Sequence, residues 1–257
     1  MKQFIVDAFT DKIFSGNPAA VCVLDKFPPE NLMQAIAMEN NLSETAFVVK
    51  RNDFYHLRWF TPAAEVDFCG HATLATAFVL FTQFKNDSVI EFQTLSGKFF
   101  IERKKNLFEM NFPAYFPKKI PVTEEMCDAV GTNVLEAYLA RDLLMILDSA
   151  DAVENFQPNF EKLAALDGLT QAISAAGDDF DCVSRVFAPK LKIPEDPVTG
   201  STHCLIAPYW SARLGKKIIK ARQASARGGV LFCEISGERV KISGNAVLFA
   251  VSELNIK

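Results

Sequence analysis

Residues 68–84 read Phe68-Cys69-Gly70-His71 followed by ATLATAFVLFTQF, and residues 195–214 read EDPVTGSTHCLIAPYWSARL. The first stretch is a glycine elbow opening into a segment that is apolar on nearly every side. A helix of that kind, here 72–84, belongs inside something and not on a surface. The second stretch repeats the form, with an elbow at Gly200 and a mainly apolar helix over 202–214. When Gly70 is laid on Gly200, Glu65 falls on Glu195, each five residues upstream. Three alternating strands follow each helix: 88–95, 98–104 and 107–112 after the first, and 217–224, 229–236 and 239–251, broken at Gly244, after the second. Ser96-Gly97 and Lys105-Asn106 supply the hairpin turns of the first set. The same order of elements around the same elbow predicts an internal duplication. The fold class is therefore α+β: two pseudo-symmetric domains, each a curved, mostly antiparallel sheet wrapped around a central helix, with the elbows facing each other across a cleft.

Upstream of the first elbow, residues 3–8 and 19–24 read as strands separated by the turn Ser15-Gly16-Asn17-Pro18. Pro28 and Pro29 open a helix over 30–40, since proline is tolerated in a first turn. Strands follow at 45–50 and 54–60. Pro113, Pro117 and Pro121 give 113–121 the look of a linker. The boundary is placed there, dividing the chain into residues 1–113 and 114–257, with the last strand free to pair back onto the first half. Beyond it come a helix at 122–130, strands at 134–139 and 142–148, two short helical pieces between 150 and 165, and strands at 169–175 and 180–187. Pro208 predicts a kink or an early end in the second elbow helix. The 23 phenylalanines are core filling around two wrapped helices.

The composition narrows the function classes. Of 257 residues, 49% are hydrophobic and 23% charged, a globular balance that excludes a disordered or fibrous chain. Net charge is −4, and no long basic run occurs, so nucleic acid and anionic membrane are poor main partners. Cys22, Cys69, Cys127, Cys182, Cys204 and Cys233 form no C-x-x-C pair and read as reduced thiols. Asp7 stands where a signal peptide needs an apolar run, and the longest apolar stretch, 72–81, is too short to span a bilayer. A soluble cytoplasmic protein is expected. His56, His71 and His203 are the only histidines, and no metal-ligand spacing is visible.

Each elbow ends in a helix N-terminus, whose first N–H groups lack internal partners and carry partial positive charge. A glycine there lets an anion approach the backbone. Two such corners suit a small carboxylate or a developing enolate-like oxyanion; taken singly, each is an ordinary turn glycine. His71, at the start of its helix, is expected to have its pKa lowered by dipole repulsion, leaving a neutral hydrogen-bonding or proton-relaying group, or simply a cap. Asp196 either faces the cleft as a carboxylate or begins a turn. Glu44 precedes the strand TAFVV; such a carboxylate either points into a pocket, where an apolar surround raises its pKa toward base strength, or is solvated. His203 is a helix residue near the rim. Arg227 either grips a substrate carboxylate bidentately or serves as a surface contact.

Gly16-Asn17-Pro18-Ala19-Ala20-Val21, Ser43-Glu44-Thr45-Ala46-Phe47, Phe68-Cys69-Gly70-His71-Ala72-Thr73 and Glu195-Asp196-Pro197-Val198-Thr199-Gly200-Ser201 together resemble the PhzF family, the phenazine-biosynthesis isomerase-like proteins, within the wider diaminopimelate epimerase fold. The resemblance covers essentially the whole chain. It implies a homodimer that needs neither metal nor pyridoxal phosphate. Glu44 matches the catalytic glutamate, which removes a proton from a substrate carbon and returns it elsewhere on the same molecule. His71 and Asp196 match assisting polar residues. Asn17, Ser43, Gly70, Gly200 and Ser201 fall where the family holds substrate by hydrogen bonds and backbone amides. In the best-known member the reaction is a proton shift in a cyclic dihydro-hydroxyanthranilate, so a small carboxylate is the implied partner. Two-thiol epimerases of this fold need a cysteine on each side of the reacting carbon. Cys69 stands beside the first elbow, but its counterpart is Thr199, whose hydroxyl is far too weak an acid–base group near neutral pH. Cys204, one turn into its helix, is expected to point to the core. Single-carboxylate isomerisation therefore ranks above two-thiol racemisation, and a non-catalytic binding protein on the same scaffold is the alternative from another class.

Overall fold

A computed structural model describes residues 1–85 and 89–256. In chain order the elements are β1 (Lys2–Ala8), β2 (Asn17–Leu24), α1 (Glu30–Asn40), β3 (Glu44–Arg51), β4 (Phe54–Phe60), β5 (Glu65–Val66), α2 (Gly70–Gln83), β6 (Val89–Thr94), β7 (Gly97–Lys104) and β8 (Leu107–Pro113). They continue as β9 (Lys118–Ile120), α3 (Glu124–Val130), β10 (Glu136–Leu139), β11 (Leu143–Ile146), α4 (Ala150–Glu154), α5 (Phe160–Ala165), β12 (Gln171–Ala176), β13 (Cys182–Ala188) and β14 (Ile193–Asp196). The chain closes with α6 (Gly200–Leu214), β15 (Ile218–Gln223), β16 (Gly229–Ser236), β17 (Arg239–Gly244) and β18 (Ala246–Glu253). The first residue of the strand read at 88–95 lies outside the described residues.

Two compact units result: residues 1–111 with 243–257, and residues 112–242. In the first, α2 packs against β1, β2, β3, β7 and β18, and is buried along most of its length, as its unbroken apolar sequence requires. The closing strand β18 pairs antiparallel with β1, Lys2 opposite Glu253. In the second unit α6 packs against β15 and β16. A separate cluster around Leu143, Met145, Leu163, Ile173 and Phe187 fills the core under α3, α4 and α5.

The duplication is written in the strand pairing. In the first unit β1 meets β2 antiparallel, β2 meets β3 parallel, β3 meets β4 antiparallel and β4 meets β6 parallel. In the second, β10 meets β11 antiparallel, β11 meets β12 parallel, β12 meets β13 antiparallel and β13 meets β15 parallel. The registers superpose. Phe60 lies opposite Thr45 and Glu65; Phe187 lies opposite Gln171 and Glu195. By that register Glu44 corresponds to Thr170, Cys69 to Thr199 and His71 to Ser201.

Each elbow is tethered in the same way. Arg58 forks onto Glu65, Nε to Oε1 and Nη2 to Oε2, both at 2.6 Å. Arg185 forks onto Glu195 at 2.7 and 2.9 Å. Each guanidinium also stacks on the phenylalanine two residues along, Phe60 at 5.2 Å and Phe187 at 5.3 Å. Past the glutamate, a serine hydroxyl pins the descending loop: Ser96 Oγ donates to the Asp67 carbonyl at 2.7 Å and Ser225 Oγ to the Pro197 carbonyl at 2.8 Å. The matched glutamates are thus structural, fixing the arm that leads into each helix.

Three local expectations are corrected. The proline-rich segment 113–121 holds a strand: β9 pairs with β10, Ile120 opposite Ala137, with Pro117 and Pro121 just outside its ends. Pro208 neither ends nor shortens α6, which runs to Leu214. The carbonyl that its missing N–H strands is that of Cys204, and Tyr115 N–H fills it at 2.8 Å. His203 is fully buried instead of lying near a rim. Its Nδ1 lies 2.8 Å from the Thr199 carbonyl, and burial lowers its pKa to about 4. It is a neutral strut that locks the first turn of α6 to the elbow.

Two predictions follow from these tethers. Removing one half of the Arg185–Glu195 fork strands a shielded charge, so Arg185→Met should cost about 3 kcal/mol in chemical denaturation, and the double variant Arg185→Met/Glu195→Met should recover part of that loss. For His203 the folded pKa lies below the unfolded value of 6.5, so the unfolded chain binds the extra proton. The contribution is complete above pH 6.5 and is lost as pH falls toward 4, up to roughly 3 kcal/mol. Denaturation series at pH 7 and pH 5 should show that His203→Gln, although less stable at pH 7, loses less on acidification than the wild type.

Candidate functional site

β2 begins at Asn17 because Gly16 turns the chain there. Its φ of +67° is left-handed, and an added Cβ would lie 2.2 Å from the Ala8 carbonyl oxygen. β3 begins at Glu44 and runs parallel to β2, with Glu44 beside Ala19. α2 begins at Gly70, with Cys69 extended at the N-cap position. These three starts converge within one unit. Asn17 Nδ2 lies 3.2 Å from His71 Nδ1, Cys69 Sγ lies 3.5 Å from the same nitrogen, and Glu44 Oε2 lies 3.0 Å from His71 Nε2. All four residues are buried, Glu44 9% and His71 6% exposed. The 3.0 Å contact has the length of an ion pair but not the alignment of a hydrogen bond, so Oε2 and Nε2 each keep an unfilled direction.

The electrostatics reverse one expectation. Burial alone pushes the His71 pKa down, but the Cys69 sulfur and the Glu44 carboxylate outweigh it and hold the ring well above its ordinary value. The Cys69 thiol is itself raised to about 11 by burial and by Glu44, and so is uncharged at neutral pH. The net direction is upward, toward a ring that pairs with Glu44 as an imidazolium, and not downward as expected from the sequence. Helix-dipole repulsion at the N-terminus of α2 is the weaker effect. The Asn17 amide can present its NH₂ to a neutral ring or, turned over, its carbonyl to a protonated one. A thiol that titrates near 11 is a poor base, which together with Thr199 at the matched position argues against two-thiol chemistry.

The remaining expected site residues divide between the units. Ser43 is half-buried immediately before Glu44, and Gly70 is buried as the first residue of α2. Asp196, Gly200 and Ser201 belong to the other unit. There Asp196 accepts from Thr199 Oγ1 at 2.6 Å. The Gln223 side chain spans the elbow, donating to the Asp196 carbonyl at 2.6 Å and accepting from Thr199 N–H at 2.8 Å. Cys204 is buried. Arg227 is half-buried in the loop between β15 and β16. Sequence reading did not single out Arg141, whose Nη2 donates to Ser201 Oγ at 3.0 Å and to fully buried Asp142 at 2.6 Å. Arg141-Asp142 sits at a hairpin tip, and only its position as a turn was visible. Sequence spacing also gave no metal set, yet in the fold the ligand atoms of Glu44, Cys69 and His71 lie within 4.8 Å of one another.

Comparison with known proteins bears on this arrangement. The profile of phenazine biosynthesis-like proteins, PhzC-PhzF, matches residues 6–252. A Pseudomonas aeruginosa protein named as an uncharacterized isomerase is 46% identical over 254 residues, 98% of each chain. The crystal structure of a PhzF-family phenazine biosynthesis protein from Enterococcus faecalis is 49% identical, with a TM-score of 0.98 over 99% of each chain. A probable proline racemase from Agrobacterium radiobacter shares the fold alone, at 10% identity and a TM-score of 0.63. No helix among the described residues is long and apolar enough to cross a membrane. By profile, identity and coverage together, this chain belongs to the phenazine biosynthesis-like family.

Proposed function

We propose that this protein is an isomerase that moves a proton within a small carboxylate-bearing molecule, using Glu44 as its single acid–base group and no cofactor. The observation that carries the reading is the buried Glu44–His71 pair at 3.0 Å, with an unfilled direction left on each atom. The Glu44 carboxylate takes a proton from a substrate carbon and, as the neutral acid, returns that proton to another carbon of the same molecule. His71 holds Glu44 in place at 3.0 Å, and Asn17 fixes the ring. The amide of Gly70, at the positive end of α2, suits negative charge developing on the substrate. The resemblance also assigns Ser43, Asp196, Gly200 and Ser201 to handling the substrate, and the name of the Pseudomonas aeruginosa relative supports an isomerase. Cytoplasmic placement and a homodimer complete the proposal.

Incubation of the protein with a panel of small carboxylates in deuterated water tests this. Wild-type protein should place deuterium on carbon in at least one of them, read by mass spectrometry or proton NMR. Glu44→Gln should slow incorporation at least about 100-fold while its circular dichroism and melting stay native. Incorporation by Glu44→Gln at the wild-type rate would reject the role of Glu44.

A further inference from the structure

In the second unit the residue matched to His71 is Ser201, and its surroundings give its hydroxyl a single direction. Arg141 Nη2 lies 3.0 Å from Ser201 Oγ and 2.6 Å from Asp142 Oδ2, while Arg141 Nε donates to Asp142 Oδ1 at 3.1 Å. A guanidinium carries donors and no acceptor. Ser201 Oγ therefore accepts at this contact, and its own hydrogen must point elsewhere. Among the described residues the Ser201 side chain makes no other hydrogen bond, so that hydrogen is uncommitted. We propose that Arg141 is a positioning residue that turns the Ser201 hydroxyl into a one-way donor to a carboxylate oxygen of the substrate. The proposal rests on the reading of Ser201 as a substrate-handling residue given above.

The anchor of this arrangement is Asp142, which is fully buried. Each of its oxygens accepts twice: Oδ1 from Arg141 Nε and from Thr170 N–H at 3.3 Å, Oδ2 from Arg141 Nη2 and from Thr202 Oγ1 at 3.0 Å. Four donors leave the carboxylate no free direction, so it acts as a clamp and not as a base. The guanidinium also stacks over Tyr115, 5.5 Å from the ring centre. A fork held in this way fixes where the remaining Nη2 hydrogen points. A lysine, with one nitrogen, cannot hold Asp142 bidentately and reach Ser201 as well. The freed hydroxyl hydrogen stands in the first turn of α6, the positive end of that helix, so both favour an anionic oxygen. The first unit orients its matched residue from the same place in the fold. Asn17, which meets the His71 ring, opens β2, and Arg141 stands just before β11, the strand matched to β2.

Kinetics on the full chain test this, using the panel carboxylate into which the wild type places deuterium fastest. Ser201→Ala and Arg141→Lys should each raise KM about 10-fold with kcat little changed, because the bond holds substrate and transition state alike. Combined, they should cost no more than Ser201→Ala alone, since Arg141 acts through that hydroxyl. Should Arg141→Lys melt below the assay temperature, Arg141→Gln/Asp142→Asn, which leaves no buried charge unpaired, takes its place in the same comparison. An unchanged KM in the Arg141 variant would overturn the proposal. So would losses that multiply when Ser201→Ala is added, since Arg141 would then serve the fold alone. If the wild type labels no carboxylate, the proton-transfer reading falls. The same three proteins are then compared by the Kd of the panel's tightest binder, read by ligand-observed NMR. Losses in Kd that do not multiply leave the Arg141 proposal standing without the proton transfer; a panel of which no member binds rejects both.

Discussion

Two ionisable side chains, Glu44 and His71, sit where water is nearly excluded, and the unit around them is built to hold that arrangement. A lone carboxylate in such surroundings gives up its charge to avoid the cost of desolvation. Here the carboxylate has an imidazole nitrogen at 3.0 Å to offset that cost, provided neither partner moves. The requirement spreads outward. The ring is held by Asn17, which stands where it does because Gly16 adopts a backbone closed to other residues. Glu44 is placed by the parallel register of β2 and β3. His71 is placed by α2, a helix buried on nearly every side and therefore unable to shift without opening the core.

The duplicated frame shows which parts of this arrangement serve structure and which serve chemistry. What both units keep is mechanical: the order and sense of the strands, the arginine–glutamate fork, the phenylalanine beneath it, and the serine that pins the loop. What differs lies at the elbows. Each of Glu44, Cys69 and His71 corresponds by register to a hydroxyl residue in the second unit: Thr170 for Glu44, Thr199 for Cys69, Ser201 for His71. The second elbow is held by Gln223, an amide that spans Asp196 and Thr199, and by a histidine that burial keeps neutral. The scaffold is repeated but the ionisable groups are not: Glu44, Cys69 and His71 have no counterpart in the second unit, and Asp196 and His203 have none in the first.

The local pattern made much of this legible from the amino acids. Elbow glycines, unbroken apolar helices and two-residue alternation act over a few residues, and they located α1, α2, α6 and most strands. Features decided by distant partners were not legible. β5 and β14 span two and four residues, too short to show a period. β9 was hidden by prolines that read as a linker, because the strand it pairs with lies beyond α3. Pro208 was read as a kink or an early end, and the helix does not end there; the N–H that fills the stranded carbonyl belongs to Tyr115, far away in the chain. The sign of the His71 shift was misread because the helix terminus was weighed alone, whereas the Cys69 sulfur and the Glu44 carboxylate, the latter from another strand, together raise it.

The absence of a second thiol at the matched position bears on stereochemistry as well as on mechanism. Inverting a carbon with two groups requires an acid on one face and a base on the other, each competent near neutral pH. Thr199 is not competent, and Cys69, raised to about 11, is a poor base even where a thiol is present. A single carboxylate that both takes and returns a proton has no such requirement, because the proton it removes is the one it delivers. Such a group must stay ionised while buried, yet accept a proton from carbon when substrate enters. In the proposed mechanism the His71 ring, at ion-pair distance but out of hydrogen-bond alignment, holds Glu44 without capping its Oε2. The misalignment that leaves two buried atoms unsatisfied is, on this reading, what keeps the carboxylate available.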